Sequence, residues 1–464
     1  MREFDAVVIG GGPGGYECAV KLAINGLKTA LVEEDALGGT CLNCGCIPAK
    51  SLLHSAEVYR QALEGGQFGV NACGVTLDYE KVISRKDAVV SRLGKGIALL
   101  EKSHGVEVFS ARGVLSHART VQLSDGETLR ARRAVVLATG SRPASIPVPG
   151  TQLAGVVDST GLLEMKQQPE RIVIIGGGVI GIEFASFFSA IGTGVTVLEM
   201  MPSILANLDP EVSEAVASRL KKDKVKILTG VRVTGIEEGL KVCFTDTGGK
   251  DGFAEGDVVL IAGGRRPNSG GIGLESVGIR TDRRGFVETD NLCRTNVDGV
   301  YAIGDLNGKM QLAHVASSQG QMVADLIAQK PVAELNLNRI PSCVYTTPEV
   351  AVIGLTVQQA AQMGFDAGTG RFDLLGNGRA LTAGLNRGFV KIVFDRKTDE
   401  ILGCHIVGPG ATEMIASVAA AMEGGVTVSA LGRAVYPHPT VSEAIREAAH
   451  ACHGICVNAP GTGV

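Results

Sequence analysis

Residues 4–15 read FDAVVIGGGPGG, and residues 171–181 read RIVIIGGGVIG. Each stretch is a short apolar run, typical of a buried parallel strand, that ends in a glycine turn with the spacing GxGxxG. A stretch compatible with a helix follows each turn. Because the same strand–turn–helix unit occurs twice, the sequence predicts a fold with two similar α/β units.

An acidic residue ends the second predicted strand of each unit. Glu33 lies 23 positions after Gly10 (33 − 10), and Glu199 lies 23 positions after Gly176 (199 − 176). A carboxylate at this distance can accept hydrogen bonds from ribose hydroxyls, while the helix N-terminus attracts phosphate. We therefore predict two dinucleotide sites, with NAD favoured over NADP because a carboxylate disfavours a 2′-phosphate. The alternative is two glycine-rich turns without a ligand.

The composition of the 464-residue chain excludes several classes of protein. The 44 basic and 48 acidic residues give a net charge of −4, so a nucleic-acid-binding surface is not expected. No apolar run reaches the roughly 18 residues of a membrane helix, and the first strand leaves no room for a signal peptide. The eleven scattered cysteines favour a reducing, cytoplasmic compartment over a secreted disulfide framework.

The segment GGTCLNCGCIPAK holds three cysteines, Cys41, Cys44 and Cys46. Cys41 and Cys44 have the spacing of a thioredoxin-like pair, whereas four residues separate Cys41 from Cys46. Cys46 lies at the start of a helix expected after Pro48, where the helix N-terminus and Lys50 would favour a thiolate. A zinc site is an alternative, although the three thiols lack two separated halves. The spacing alone leaves the pairing open.

Further motifs accompany these features over about residues 4–454: VVLATGSRP, VYAIGDL, QLAHVA, YTTPEV and HPTVSEA. In this combination the chain resembles the pyridine nucleotide-disulfide oxidoreductases, and among them the members that oxidise dihydrolipoamide. The resemblance implies a flavoprotein enzyme that passes electrons from protein-bound dihydrolipoamide through a cysteine disulfide and FAD to NAD. It also implies an α/β fold of two Rossmann-like dinucleotide-binding domains plus an α+β C-terminal dimerisation domain.

The resemblance divides the chain into four parts. Residues 1–149 are expected to form the first part of an FAD-binding domain, with the redox disulfide, and residues 150–270 an NAD-binding domain. Residues 271–339 are expected to complete the FAD site, and residues 340–464 to form the interface domain of a homodimer. The expected partner is the lipoyl-bearing protein of a 2-oxoacid dehydrogenase or glycine cleavage system.

The resemblance also assigns cofactor residues to matching positions of this chain. Those for FAD are Gly10, Gly12, Gly15, Glu33, Lys50, Gly140, Asp305 and Ala313. Those on the NAD side are Gly176, Gly178, Gly181, Glu183, Glu199 and Gly264. Asp305 would bind the ribityl chain, although it could instead cap the next segment. Lys50 and Glu183 would form an ion pair beside the flavin, although Glu183 could be a solvated helix residue.

By the same resemblance, Cys41 and Cys46 form the redox disulfide. Cys41 would exchange with the dithiol substrate, and Cys46 would face the flavin. Cys44 stands where the family usually has an aliphatic residue, and a small buried cysteine packs like one. We therefore expect Cys44 to be the thiol outside the pair.

The expected acid–base residue is His438, since thiol–disulfide exchange needs a group that takes and returns a proton near neutral pH. Glu443 would orient the imidazole. The alternative is that residues 440–443, TVSE, form a capping box in which Glu443 only closes a helix start. By resemblance, His438 reaches the disulfide of the other protomer.

Three other functions fit parts of the sequence. The tail residues His450, Cys452, His453 and Cys456 could relay metal or thiols, as in a mercuric reductase, so an NAD(P)H-dependent reductase of mercuric ion or of another disulfide is an alternative. A non-catalytic flavin-bound regulatory protein is less favoured, because such a protein needs neither a cysteine pair nor His438. A cysteine-based metal-binding module is the third; we expect no metal site.

Overall fold

The computed structural model describes residues 1–385 and 387–459. No helix in this part of the chain is long and apolar enough to cross a membrane.

The first unit is built on a parallel sheet. Its elements are β1 (Arg2–Ile9), α1 (Pro13–Ile24), β2 (Thr29–Glu33), α2 (Gly39–Cys44), α3 (Cys46–Glu64), α4 (Tyr79–Ser103), β3 (Glu107–Ser110), β4 (Gly113–His117), β5 (Thr120–Leu123), β6 (Thr128–Leu137) and β7 (Ser141–Pro143). The strand order is β3-β2-β1-β6, all parallel, and β5 and β4 continue the sheet as antiparallel strands. The inner strands β1 and β2 are apolar over most of their length because helices and other strands bury both of their faces.

The second unit repeats this plan. Its elements are β8 (Val156–Val157), α5 (Ser159–Glu164), β9 (Arg171–Ile175), α6 (Val179–Ala190), β10 (Gly194–Glu199), α7 (Pro210–Lys222), β11 (Lys226–Thr229), β12 (Val231–Glu237), β13 (Lys241–Asp246), β14 (Asp251–Glu255), β15 (Val258–Ile261) and β16 (Arg265–Pro267). The parallel order β11-β10-β9-β15-β8 matches β3-β2-β1-β6 of the first unit. Strands β12–β14 form a separate antiparallel sheet.

The chain then returns to the first unit. The elements of this segment are α8 (Leu274–Val277), β17 (Val300–Ala302) and α9 (Ala313–Ile327). Strand β17 pairs in parallel with β6, with Tyr301 opposite Val136. Because β17 joins the first sheet, the turn that follows it lies at the same carboxyl edge as the first glycine turn.

The C-terminal part is an α+β unit. Its elements are β18 (Pro341–Val344), β19 (Val350–Gly354), α10 (Val357–Gln362), β20 (Ala367–Asp373), α11 (Gly378–Thr382), β21 (Phe389–Asp395), β22 (Ile401–Val407), α12 (Ala411–Glu423), α13 (Val428–Arg433) and α14 (Glu443–Ala451). The sheet is antiparallel with the order β18-β19-β22-β21-β20. Every residue of β21 and β22 is buried, because α12 and α14 pack against this sheet and α7 of the second unit also contacts it.

The predicted fold class is confirmed: two Rossmann-like units are followed by an α+β C-terminal unit. One local prediction needs correction, and one sheet was not predicted at all. Helix α3 begins at Cys46 itself and not after Pro48, because proline is well tolerated in the first turn of a helix. The sheet β12–β14 was not predicted, since short half-exposed strands have a weak apolar pattern.

Candidate active site

The two glycine turns have the same geometry at the first glycine. Gly10 has φ +104° and Gly176 has φ +115°. A Cβ on Gly10 would lie 2.3 Å from the carbonyl oxygen of Ala138, and a Cβ on Gly176 would lie 2.4 Å from that of Ala262. Both positions therefore require glycine for two reasons: another residue would be strained at this φ, and its Cβ would clash with a carbonyl oxygen.

The second and third glycines also match between the two units. A Cβ on Gly15 would lie 1.7 Å from the carbonyl oxygen of Gly10, and one on Gly181 would lie 2.0 Å from that of Gly176. By contrast, a Cβ on Gly178 would meet nothing within 4 Å, and one on Gly12 would meet only a backbone carbon at 3.8 Å. The middle glycine of each turn thus borders open space at a helix N-terminus, which suits a phosphate group.

The two acids are held in the same way. Glu33 accepts hydrogen bonds from the backbone N–H of Gly11 at 2.6 Å and of Asp35 at 2.9 Å. Glu199 accepts them from Gly177 at 2.5 Å and from the residue two positions after it at 2.7 Å. Two backbone donors fix each carboxylate and leave it further acceptor sites for ribose hydroxyls.

Asp305 lies in the turn after β17, beside the first glycine turn. One of its carboxylate oxygens, Oδ2, accepts a hydrogen bond from the Ser141 hydroxyl and lies 3.6 Å from Nε of Arg265. Among the described residues, no hydrogen bond reaches its other oxygen. Asp305 is not the cap of the short helix that contains it, since that position belongs to Ile303. The free oxygen fits an acceptor for a ligand hydroxyl.

The remaining predicted cofactor positions lie at turns or helix starts. Gly140 has φ +67° and Gly264 has φ +104°, and a Cβ on either would meet nothing within 4 Å. Ala313 is the first residue of α9, whose N-terminus has no side-chain cap. These positions have room for a ligand, and their roles in cofactor binding stay predictions.

The redox segment folds as two short helical pieces. Helix α2 contains Cys41 and ends at Cys44, and α3 starts at Cys46 after a break at Gly45. The Cys41 thiol donates a hydrogen bond to the Cys46 sulfur. The structure therefore brings Cys41 and Cys46 together, as two free thiols.

The two thiols differ in acidity. The hydrogen bond from Cys41 and the positive charge of Lys50 together lower the pKa of Cys46 to about 7, against the opposing effect of burial. The pKa of Cys41 is raised well above its usual range, because this thiol donates the hydrogen bond and is also buried. Of the two thiols, Cys46 is therefore the one that ionises near neutral pH, and Cys41 is the proton donor.

Lys50 forms the predicted ion pair with Glu183. Its Nζ lies 3.0 Å from Oε1 and 2.8 Å from Oε2 of Glu183, which is buried. The backbone N–H of Tyr345 donates to the same carboxylate at 2.9 Å, and the Lys50 ammonium lies 4.5 Å from the Tyr345 ring centroid. Glu183 is therefore not a solvated helix residue, and the pair joins α3, α6 and the C-terminal unit.

His438 and Glu443 form a hydrogen-bonded pair. Nδ1 of His438 lies 3.0 Å from Oε1 of Glu443, whose Oε2 accepts the backbone N–H of Thr440 at 2.9 Å. The Thr440 contact lowers the pKa of Glu443, and the hydrogen bond to His438 adds to this effect. Helix α14 begins at Glu443 without a side-chain cap, so the capping box does not form in full. Glu443 serves the turn and the imidazole together.

The His438–Glu443 pair and the cysteine pair are not joined within one chain. No hydrogen bond or ion pair links them among the described residues, and the His438 side chain is 79% exposed. Among the described residues, its Nε2 makes no hydrogen bond.

The tail cysteines lie in a different environment. Burial raises the pKa of Cys452 to about 12. Burial and a hydrogen bond to Glu447, at 3.3 Å, raise the pKa of Cys456. His453 contacts Asp399 at 3.1 Å. In residues 1–385 and 387–459, no group of three His, Cys, Asp or Glu side chains could hold a metal ion.

Three residues at the site were not singled out from the sequence: Ser141, Arg265 and Tyr345. Arg265 donates from Nε to the Ser141 hydroxyl and from Nη2 to the Ser141 carbonyl, both at 2.7 Å, and thereby supports Asp305. Tyr345 completes the environment of Glu183. Ser141 and Tyr345 lie inside the quoted motifs VVLATGSRP and YTTPEV, so the sequence offered a signal for these two, whereas Arg265 lies outside the quoted motifs.

The matched turns, the acids and the paired thiols define a class of protein with two nucleotide sites beside a reactive cysteine pair. The chain belongs to the pyridine nucleotide-disulphide oxidoreductase family: the profile of that family matches residues 4–320, and the profile of its dimerisation domain matches residues 340–449. The predicted family and the predicted oxidoreductase class are confirmed.

Curated relatives match over nearly the whole chain. The dihydrolipoyl dehydrogenase of Bacillus subtilis is 40% identical, with 98% of this chain and 99% of the relative covered. The dihydrolipoyl dehydrogenase of Chlamydia muridarum is 41% identical, with 96% of each covered.

Two solved structures show the same fold. LpdA from Mycobacterium tuberculosis has a TM-score of 0.88 at 27% identity, with 97% of this chain and 99% of that chain covered. The HOCl-induced flavoprotein disulfide reductase RclA from Escherichia coli has a TM-score of 0.86 at 29% identity, with 96% and 99% covered.

Proposed function

We propose that this protein oxidises protein-bound dihydrolipoamide to lipoamide, with FAD and NAD as cofactors. The observation that carries the proposal is the Cys41–Cys46 pair, in which Lys50 and a hydrogen bond from Cys41 lower the pKa of Cys46 to about 7. Curated relatives with the name dihydrolipoyl dehydrogenase support it at 40% identity over 98% of the chain.

The site fits the two cofactors. Residues 10–15 with Glu33, Gly140, Asp305 and Ala313 would hold FAD, and Lys50 would lie beside its ring. Residues 176–181 with Glu183, Glu199 and Gly264 would form the NAD side. The open space at each middle glycine and the free oxygen of Asp305 support this assignment. When bound, FAD supplies a two-electron acceptor for the dithiol, and NAD supplies the final hydride acceptor.

The chain's own residues carry out the thiol chemistry. His438 takes the proton of one thiol of the dihydrolipoyl group, and the sulfur of this thiol attacks Sγ of Cys41 in the oxidised enzyme. The Cys41–Cys46 bond breaks, and Cys46 leaves as a thiolate. The second substrate thiol then attacks the substrate sulfur of the mixed disulfide, and its proton passes to the departing Cys41 sulfur. The products are the cyclic disulfide of lipoamide, the Cys41 thiol, the Cys46 thiolate and the protonated imidazole. Both electrons of the substrate then reside on the two cysteines.

The His438 side chain is exposed, and no hydrogen bond or ion pair joins it to Cys41 or Cys46 of the same chain among the described residues. We propose that the pair of one protomer serves the cysteines of the other in a homodimer, and the dimerisation-domain match over residues 340–449 supports this assembly. We also propose the division into parts 1–149, 150–270, 271–339 and 340–464. The lipoyl carrier would belong to a 2-oxoacid dehydrogenase or glycine cleavage system, and the scattered cysteines favour a cytoplasmic location.

A reductase of another disulfide is the second candidate, because RclA is named as a disulfide reductase and shares this fold. The mercuric alternative has less support, since the tail thiols have raised pKa values and Cys456 is bound to Glu447.

The direct test uses the purified protein with its flavin absorbance recorded first. Dihydrolipoamide with NAD, dihydrolipoamide with NADP, and NADH with other disulfides are then compared in one buffer. We expect flavin to be present and NAD to be reduced by dihydrolipoamide faster than NADP. A protein without flavin, or one that reduces neither nucleotide with dihydrolipoamide, would contradict the proposal. A preference for NADH with another disulfide would favour the second candidate.

A further inference from the structure

A buried ion pair joins the C-terminal unit to the second nucleotide unit. Lys391 lies in β21 with its side chain 9% exposed. Its Nζ donates to Oδ2 of Asp209 at 2.9 Å and to Oε1 of Glu211 at 2.6 Å. Asp209 is fully buried and caps the N-terminus of α7 through the backbone N–H of Glu211 at 3.0 Å. Lys391 therefore fixes the start of α7.

The loop that leads into α7 shapes the second glycine turn. Residues 200–208 connect the acid Glu199 to the cap of α7. In this loop, the backbone N–H of Leu205 donates to the carbonyl of Gly177 at 2.8 Å. The Ser213 hydroxyl, in the first turn of α7, donates to the carbonyl of Ile204 at 2.5 Å. A short series of contacts thus runs from Lys391 through α7 and the loop to the glycine turn.

The first unit has the same loop contact with a different anchor. There the backbone N–H of Gly38 donates to the carbonyl of Gly11 at 2.8 Å, and the chain continues directly into α2 with Cys41. In the second unit the corresponding loop continues into α7. The redox segment anchors the loop in the first unit, and the C-terminal unit anchors it in the second.

The charged and titratable groups around Lys391 favour its protonated form and therefore the ion pair. Burial alone would lower the pKa of Lys391, but hydrogen bonds to Glu211 and Asp209 outweigh it and raise this pKa. His405, opposite Lys391 on β22, is buried with its pKa lowered by burial, so it adds no positive charge at neutral pH. Arg371 lies 3.3 Å from Glu211 but is 46% exposed, so solvent screens this second contact.

We propose that Lys391 is a positioning residue for NAD binding: it holds the loop of residues 200–208, and through this loop the Gly177 turn and Glu199, in the arrangement that receives NAD. This rests on the proposed function for the identity of the nucleotide. Among the described residues, the side-chain hydrogen bonds of Lys391 reach only Asp209 and Glu211, so its effect should be confined to the NAD-dependent half of the reaction.

The test is the variant Lys391→Met, which removes the ammonium and keeps an unbranched side chain of similar length. Two half-reactions are followed by the flavin absorbance: reduction of the enzyme by dihydrolipoamide, and reoxidation by NAD at several concentrations. The Kd of NAD is measured separately by titration calorimetry. We expect the first rate to stay within about twofold, and the Kd and KM for NAD to rise about tenfold, the loss typical of a slightly misplaced binding group.

Two further variants separate positioning from stability. Arg371→Met removes the exposed contact to the same Glu211 and should leave the Kd of NAD unchanged. Lys391→Arg keeps a positive donor and should restore most of the affinity. If Lys391→Met does not fold, Lys391→Met with Asp209→Asn removes both buried charges and keeps a good helix cap. This double variant should again weaken NAD binding.

An unchanged Kd in the folded variant would overturn the proposal. Equal slowing of both half-reactions at an unchanged Kd would overturn it too, since that pattern indicates a general loss of order. The calorimetric titration needs no dihydrolipoamide, so failure of the proposed substrate and failure of this inference are distinguishable.

Discussion

Two regions of this chain, residues 41–46 and residues 452–456, contain closely spaced cysteines in very different environments. In the first, a hydrogen bond and a nearby ammonium lower the pKa of Cys46 to about 7. In the second, burial raises the pKa of Cys452 to about 12, and a carboxylate accepts the hydrogen bond of Cys456. The neighbours of a thiol, and not its spacing, determine which cysteines react.

The first region owes its pairing to one glycine. In a continuous helix Cys41 and Cys44, three positions apart, would share a face, and Cys46 would not. The helix breaks at Gly45, where a Cβ would lie 2.8 Å from the carbonyl oxygen of Thr40. The break turns Cys46 back onto Cys41 and places it at the start of α3.

The largest effect is expected from the paired cysteines themselves. Cys41→Ser and Cys46→Ser should each lower NAD reduction by dihydrolipoamide by a factor on the order of a thousand or more, because the exchange needs both sulfurs. Steady-state absorbance of NADH measures this. Equal flavin content in wild type and variants is the control. Substantial turnover in either variant would show that another thiol can replace the missing one.

A smaller loss is expected from the acid–base pair. His438→Gln should lower turnover about a hundredfold, the usual scale of general acid–base catalysis, and Glu443→Gln should have an intermediate effect. Glu443→Gln keeps a side-chain oxygen for the backbone of Thr440, so the start of α14 should persist. Activity is measured against pH, with the dimer checked by sedimentation. A Glu443 variant as slow as the His438 variant would point to a structural collapse of the turn.

The third prediction concerns the charges around Cys46. In Lys50→Met the thiolate loses a favourable positive charge, so its pKa should rise above the wild-type value of about 7. The rate of iodoacetamide alkylation of the reduced enzyme at pH 7 should therefore fall, and recover at higher pH. Glu183→Gln should shift the profile in the opposite direction, because its negative charge opposes the thiolate. If the pH profiles of alkylation in both variants were identical to the wild-type profile, the hydrogen bond from Cys41 alone would set the pKa of Cys46.

In the tail, only stability should respond to substitution. Cys456→Ala removes one of the hydrogen bonds to the buried Glu447, which Arg446 and Asn458 also contact. We expect a loss of about 1 kcal/mol in the free energy of unfolding and unchanged turnover. Denaturant unfolding measures the first and the NAD assay the second. A fall in turnover with Cys456→Ala or Cys452→Ser would support the alternative in which the tail cysteines relay metal or thiols.

The repeated units were predictable from sequence because each rests on local signals. Strand, glycine turn, helix and acid lie within about 30 residues of one another. The contacts of Lys50 with Glu183 and of Lys391 with Asp209 join residues more than a hundred positions apart. No periodicity or spacing indicates such contacts. The family resemblance supplied the first of them, and only the fold revealed the second.

The pairing among the three thiols was only partly predictable from the sequence. The residues alone left Cys41–Cys44 and Cys41–Cys46 open, and the backbone break at Gly45 favours the second. The break depends on the close approach to Thr40, a contact that a propensity for helix does not predict. The start of α3 at Cys46 was also missed, since the proline at position 48 is tolerated in the first turn of a helix.

The smallest effect is expected at Cys44, which tests the comparison most sharply. Its side chain makes no hydrogen bond among the described residues, and it lies at the end of α2 before the break. Cys44→Ser should therefore keep wild-type turnover within about twofold, as expected for a substitution away from the reacting groups. The three serine variants are assayed together with dihydrolipoamide and NAD, so that Cys41→Ser and Cys46→Ser serve as matched controls from the same loop. An inactive Cys44→Ser with normal flavin content would show that Cys41 pairs with Cys44, and not with Cys46, during turnover.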